Sequence, residues 1–364
     1  MTHSDTGGYQ AGLSIAEVQS RAANQPITKL SSNENPFGPS PAAVAAARDA
    51  LENANIYPER TDAALCQKLA EFHGQGMQPE HFFSANSGVE VLSLIEDAVT
   101  EPGQRAIICP PCFGAYTSSL MKKGVLVDKV DLIGAGFDVD VDGILSAVTS
   151  DTRLVYLCNP NNPTGTYFGA EVLNAILDGL PDHVTLIYDE VYFQFATEFD
   201  LPDVLHHVRN NRNIVIVHSF SKAYGLAGMR VGYGIAPEQI AAKIRKHKRS
   251  FHLNTMGMTA AIAALDDAAH LVRTVTNNTT ERARLSKALK SLGFEISKSQ
   301  ANFVMFRCPD GKDAKTLTNE LVSHGVMVRP AFDLPNHIRA TVGLPDDNTR
   351  LLDALASLQD KVNS

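Results

Sequence analysis

Apolar positions along the chain follow two rhythms. Residues 41–51, 63–73 and 88–101 space them three and four apart, which predicts amphipathic helices. Between and beyond these lie short, nearly continuous apolar runs rich in Val and Ile, at 105–109, 154–158, 184–188, 214–218 and 231–235, each closed by a polar or Gly-containing turn. Such runs alternating with helices predict strands buried on both faces of a mostly parallel sheet. Ligands of such sheets bind at the carboxyl ends of the strands, so the residues just after each run are where chemistry is expected. After about residue 255 the pattern changes: a long helical stretch at 269–292, strands at 302–307, 326–329 and 338–342, and helices at 314–324 and 348–362. This predicts a smaller α+β unit. Residues 32–39 hold too much Asn, Pro and Gly for a regular element. The chain therefore divides into an N-terminal segment (1–38) that packs with the small unit, a large domain (39–254) and a small C-terminal domain (255–364).

Composition narrows the function. The 364 residues are 44% hydrophobic and carry a net charge of −8, which opposes general binding to nucleic acid or anionic membrane. A basic run from Lys243 to Arg249 reads as a solvated helix face. No apolar stretch approaches the roughly 20 residues of a membrane helix, and the polar first ten residues do not form a signal peptide. Five cysteines, an odd number, fit a reducing cytoplasm. Cys109 and Cys112 form a CxxC filled by two prolines, with no second pair and no histidine pattern, so no metal site is expected.

Four segments carry chemistry, each after a predicted strand or before a predicted helix. Ser219-Phe-Ser221-Lys222 is followed eight residues later by Arg230, with Gly225, Gly228 and Gly232 around it. A lysine there suits an aldehyde cofactor that bears a phosphate: the amine condenses with the aldehyde, and Ser219, Ser221 and Arg230 supply donors to the dianion. Tyr188-Asp189-Glu190-Val191-Tyr192 ends an apolar run. Asp189 can pair with a pyridine nitrogen and keep it protonated, and Tyr192 can donate to a phenolate oxygen; read alone, Asp189 equally suits a helix cap. In Asn159-Pro160-Asn161-Asn162-Pro163-Thr164-Gly165, two prolines fix an extended loop from which Asn162 can reach the same oxygen. Ser84-Ala85-Asn86-Ser87-Gly88 opens a helix whose free N–H groups can bind phosphate.

Together with Ser32-Asn-Glu-Asn35-Pro-Phe-Gly-Pro39 and Tyr57-Pro58-Glu59, these segments resemble the histidinol-phosphate aminotransferases, pyridoxal-phosphate enzymes of the type I fold, from about Tyr9 to the C-terminus. The resemblance implies a large domain with a mostly parallel central sheet plus a smaller α+β domain, pyridoxal 5'-phosphate as cofactor, a small-molecule amino donor and keto acceptor, a cytoplasmic homodimer with shared active sites, and a place in histidine biosynthesis. It implies that Lys222 bonds the cofactor and moves the substrate proton, and that Asp189 pairs with the ring nitrogen. Asn162 and Tyr192 then contact the phenolate oxygen and Phe113 stacks on the ring. Ala85, Asn86, Ser219, Ser221 and Arg230 hold the phosphate, joined by Tyr57 of the neighbouring subunit. Arg339 and Arg329 receive anionic substrate groups, and Asn35 and Tyr9 line the pocket. The chain departs from the family pattern in three places: no acid follows Ala85, Phe113 stands where Tyr is frequent, and Ala331-Phe332-Asp333 replaces a Gly-rich segment. Aromatic amino-acid transamination is the alternative reading, and a decarboxylase of the same fold is another.

Overall fold

The computed structural model describes residue 17, residues 26–309 and residues 312–360. A seven-stranded sheet forms its centre: β2 (Phe82–Ala85), β3 (Arg105–Ile108), β4 (Leu126–Lys129), β5 (Thr152–Cys158), β6 (Thr185–Asp189), β7 (Ile214–Ser219) and β8 (Gly232–Ile235), in the order β2-β8-β7-β6-β5-β3-β4. Strands β4, β3, β5, β6 and β7 are parallel, and β8 runs against both β7 and β2. The sheet is thus mostly parallel, and every residue of β6 and β7 is buried, as their unbroken apolar runs predict. Helices cover both faces. Gly88–Val99 and Glu238–Arg245 bury Val91, Ile95, Ala241 and Ile244 on one side; Ala63–His73, Ala170–Gly179 and Thr255–Asp266 bury Leu65, Leu69, Ile176 and Met258 on the other.

The long helix Ala268–Ser291 leads to an antiparallel sheet of β9 (Phe303–Arg307), β11 (Arg329–Pro330) and β12 (His337–Thr341), in the order β11-β12-β9. This sheet, with helices Ala314–Ser323 and Pro345–Asp360, closes a separate core around Leu317, Ile338 and Leu355. The predicted strand at 326–329 is in fact two: β10 (Val326–Met327) pairs in parallel with β1 (Thr28–Lys29), whereas Arg329 and Pro330 join the three-stranded sheet. Helix Thr255–Asp266 packs with the seven-stranded sheet and not with the small core.

Some local choices are dictated by sterics. A Cβ on Gly232 would lie 2.5 Å from the backbone of Ser87 and Gly88, so glycine lets that helix start press against β8. A Cβ on Gly225, at φ +69°, would lie 2.1 Å from the Gly38 carbonyl oxygen, so only glycine fits there. The basic run is only partly solvated: Arg245 donates to the carbonyls of Glu80 and Phe82, and Lys248 is buried in an ion pair with Asp62. Cys109 and Cys112 are buried free thiols.

Candidate active site

The carboxyl ends of β2, β5, β6 and β7 point the same way, and there a cavity of about 230 Å³ opens. Asp189, Asn162, Tyr192, Ser219, Ser221, Lys222, Phe113, Arg230 and Arg339 all line it. Pairing register explains much of this convergence, since Ala85, Gly232 and Ser219 lie abreast, as do Cys158, Asp189 and Val217.

Asp189, the last residue of β6, is buried. Its Oδ2 accepts a 2.6 Å hydrogen bond from the Tyr116 hydroxyl and its Oδ1 a 3.3 Å bond from the Val191 N–H. Burial pushes its carboxyl up to about 6, against these donors and the nearby Lys222. An acid so placed welcomes a cationic partner.

A polar chain runs behind it. Glu190 Oε1 lies 2.6 Å from His218 Nε2, His218 Nδ1 2.6 Å from the Tyr233 hydroxyl, and that hydroxyl 3.0 Å from His73 Nε2. Burial drives Glu190 well above the usual carboxylate range and both histidines down to about 3. With the carboxyl protonated and both rings neutral, one ordering of donors satisfies the chain: Glu190 O–H to His218, His218 N–H to Tyr233, Tyr233 O–H to His73.

Lys222 follows the turn after β7. Its Nζ donates to the Ser32 carbonyl at 3.1 Å and lies 5.9 Å from the centre of the Tyr192 ring. Burial first, then the positive charges of Arg339 and Arg230, lower its amine to about 8, against the pull of Glu34 and Asp189. The lowered amine loses its proton at a lower pH than an ordinary lysine, which favours it as a nucleophile.

Tyr192 accepts from Asn33 Nδ2 at 3.0 Å and Asn162 Nδ2 at 3.3 Å, which leaves its own proton to point at a ligand. Asn162 Oδ1 in turn accepts from Arg339 Nη1 at 2.6 Å, and Arg339 Nη2 donates to the Ser31 carbonyl at 3.0 Å. The small sheet is thereby tied to the cavity through one arginine.

An anion can be met by the N-terminus of Gly88–Val99, whose first residues Ser87, Gly88 and Val89 line the cavity, together with Ser219, Ser221 and Arg230. Ala85 is buried at the strand end, and Asn86 is engaged elsewhere: its N–H donates to Glu90 and its side chain to the His252 carbonyl. Arg230 sits in the left-handed region at φ 57° and donates to the Ala227 carbonyl.

On the other side, Arg329 and Arg339 are directly opposed across β11 and β12. Asn35 does not line the cavity; it is buried and bridges the Ala223 carbonyl and Thr274. Tyr57 is 83% exposed and rests on Phe251, with ring centres 5.3 Å apart. Tyr9 lies outside the described residues. Sequence reasoning missed Tyr116, Asn33, Ser32, Glu34 and the Glu190–His218 pair. The signal for Asn33 and Glu34 was their place in the irregular loop at 32–39; Tyr116 gave none beyond its spacing from Phe113.

The donor set fits a phosphorylated pyridine aldehyde. One cavity holds a nucleophilic amine, a buried acid for a ring nitrogen, hydroxyl and amide donors for a phenolate oxygen, and a helix start with two serines and an arginine for a phosphate.

The family model "Aminotransferase class I and II" matches residues 25–355. A histidinol-phosphate aminotransferase of Symbiobacterium thermophilum is 37% identical over 350 residues, covering 95% of this chain and 94% of its own length. One from Akkermansia muciniphila is 37% identical over 95% of this chain and 94% of its own. The crystal structure of histidinol-phosphate aminotransferase from Sinorhizobium meliloti in complex with pyridoxal-5'-phosphate superposes with a TM-score of 0.87 at 27% identity, covering 96% of each chain.

Proposed function

The chain belongs to the class I and II aminotransferases, and from that membership we propose that it is a pyridoxal-phosphate-dependent histidinol-phosphate:2-oxoglutarate aminotransferase. The observation that carries the reading is the convergence of Lys222, Asp189 and Arg339 on one cavity in a chain 37% identical to enzymes of that name.

When bound, pyridoxal phosphate supplies a protonated ring that withdraws electrons from the substrate Cα as its proton leaves. Asp189 keeps the ring nitrogen protonated. Tyr192 and Asn162 donate to the phenolate oxygen, and Phe113 covers the ring face. The Ser87–Gly88 helix start, Ser219, Ser221 and Arg230 hold the phosphate, with Ala85 and Asn86 shaping that helix start. Lys222 Nζ would hold the aldehyde carbon until the substrate amine displaces it, and would then be free to take the Cα proton and return it. Arg339 binds a substrate carboxylate or the anion that stands in its place, and Arg329 answers a distal anion. Guanidinium suits both because its fork is planar and permanently charged.

Reciprocal half-reactions follow, an amino donor such as glutamate loading the nitrogen and a keto acceptor removing it. The protein works as a cytoplasmic homodimer in which the exposed Tyr57 reaches the partner's phosphate site, and Tyr9 belongs to the pocket lining. The cofactor-binding unit spans 39–254, joined by the helix Thr255–Asp266 that packs on its core, and the rest of the chain forms the smaller unit. Among the described residues no helix is long and apolar enough to cross a membrane.

The test is a panel of amino donors with spectral readout of cofactor amination and simultaneous measurement of CO₂. Amination by histidinol phosphate, and by glutamate without CO₂ release, is the expected result. CO₂ release would identify a decarboxylase, and amination by aromatic amino acids but not histidinol phosphate would move the enzyme to the aromatic class.

A further inference from the structure

Among the described residues, two acids line the cavity, Asp189 and Glu34. Asp189 is buried and accepts from the Tyr116 hydroxyl and the Val191 N–H. Glu34 stands two residues after Ser32, whose carbonyl receives Lys222 Nζ at 3.1 Å. Its side chain is 41% exposed, which puts it at the mouth, and its Oε1 takes the Lys29 ammonium at 2.6 Å. A carboxylate offers about four lone-pair sites, so that pairing leaves acceptor capacity for a second cation. Burial and the charges of Arg339 and Arg230 lower the Lys222 amine, and of the two acids Glu34 opposes them more than Asp189 does. The charge of Glu34 is therefore felt where the amine works.

We infer that Glu34 is a specificity-determining residue for the amino group itself: its carboxylate, at the cavity mouth near Lys222, receives the ammonium of an incoming amino donor and sets the preference for donor over keto acceptor. This rests on the aminotransferase reading of the same cavity. An amino donor has to bring its ammonium to the carbon that Lys222 holds, close to the positive charges of Arg339 and Arg230. Those charges attract the carboxylates of donor and acceptor alike, but they repel the ammonium. An acid near Lys222 offsets that repulsion for the donor alone, because the keto acceptor carries no cation at that point. A charge-assisted N–H···O bond to the acid is also stronger than a neutral one. Water at the mouth screens the interaction and limits its size.

Glutamate and 2-oxoglutarate share a carbon skeleton and both carboxylates and differ only in amine against ketone, so the ratio of their dissociation constants isolates the amine. Calorimetric titration of the borohydride-reduced holoenzyme, which cannot turn over, measures both constants, and single-turnover half-reactions of the loaded enzyme measure them again. In Glu34→Gln the preference for glutamate over 2-oxoglutarate should fall roughly three- to tenfold, with the limiting rates little changed. Lys29→Met breaks the same ion pair from its other end and leaves the carboxylate in place, so there the preference should hold or rise. A ratio unmoved in Glu34→Gln, or one that falls as far in Lys29→Met, would overturn the inference and make the ion pair a brace for the loop. Histidinol phosphate does not enter the ratio: an enzyme that refuses it loses the proposed substrate, while the fall in Glu34→Gln still supports the role of Glu34. A wild-type enzyme that binds neither glutamate nor 2-oxoglutarate overturns both.

Discussion

Tyr116 donates a 2.6 Å hydrogen bond to Oδ2 of Asp189 from the helix that follows Phe113. This bond opposes the burial that lifts the Asp189 carboxyl to about 6. Removing it in Tyr116→Phe should raise that carboxyl further, so the acid limb of the amination rate should move to higher pH. A hydrogen bond to a charged group is worth about 1.5–3 kcal/mol, so the rate near neutral pH should fall roughly tenfold or more. Stopped-flow amination across pH 5 to 9 checks both, and an unmoved acid limb would disconnect Tyr116 from Asp189.

Asp189→Asn should keep most of its cofactor, because the donors at the helix start, Ser219, Ser221 and Arg230 are untouched. It should lose most of its rate, on the order of the 10²–10⁴-fold typical of a lost acid–base group. Cofactor content by absorbance and single-turnover rates separate the two effects; a near-wild-type rate would make Asp189 structural.

Borohydride should fix the cofactor to Lys222, located by peptide mapping, and Lys222→Ala should abolish turnover. A reduced cofactor found on another lysine would refute the assignment.

The lowered amine of Lys222 has a pH signature. Only the neutral amine attacks an aldehyde, so reloading of cofactor-free enzyme should accelerate with pH and level off above about 8. In the cofactor-free fold Lys222 binds fewer protons than in the unfolded chain between about 8 and its ordinary 10.5, so its contribution to stability rises with pH across that window. Arg339→Gln removes the second-largest cause of the lowering. Both the reloading midpoint and the lower edge of the stability window should then shift to higher pH, as read by loading kinetics and thermal unfolding.

Tyr57 should act in trans. Its side chain is exposed in the single chain, and Pro58 holds it extended, so a two-fold dimer can exchange the pair reciprocally. Sedimentation should give twice the chain mass. Mixed dimers of Tyr57→Phe and Lys222→Ala subunits should recover one active site; a fully active monomer, or mixtures no better than their parents when Tyr57→Phe alone is crippled, would exclude the shared site.

Residues whose place at the cavity is set locally were legible in the sequence. Lys222, Asp189 and Asn162 each follow an apolar run within a few positions, and parallel pairing brings such positions to one edge. Roles that depend on pairing between distant segments were not. The strand at 326–329 broke in two because Val326 and Met327 pair with β1 while Arg329 pairs with Arg339, and no local pattern announces a change of sheet. Asn35 shares its loop with Asn33, yet only Asn33 reaches Tyr192; Asn35 turns away to Ala223. Glu190 reads as an ordinary acid beside Asp189, since its partner His218 lies on the next strand.

Arg339 bonds to the Ser31 carbonyl and the Asn33 N–H to Thr341, and each link joins points 308 residues apart. During synthesis at about 5–20 residues per second, that separation is a wait of roughly 15 to 60 seconds. The seven-stranded sheet and its lysine leave the ribosome well before Arg339 exists, so the nascent chain passes through a stage with the Lys222 side of its cavity built and the Arg339 side missing. For all that time Thr28 and Lys29 are an unpaired strand whose partner, Val326–Met327, has yet to be made.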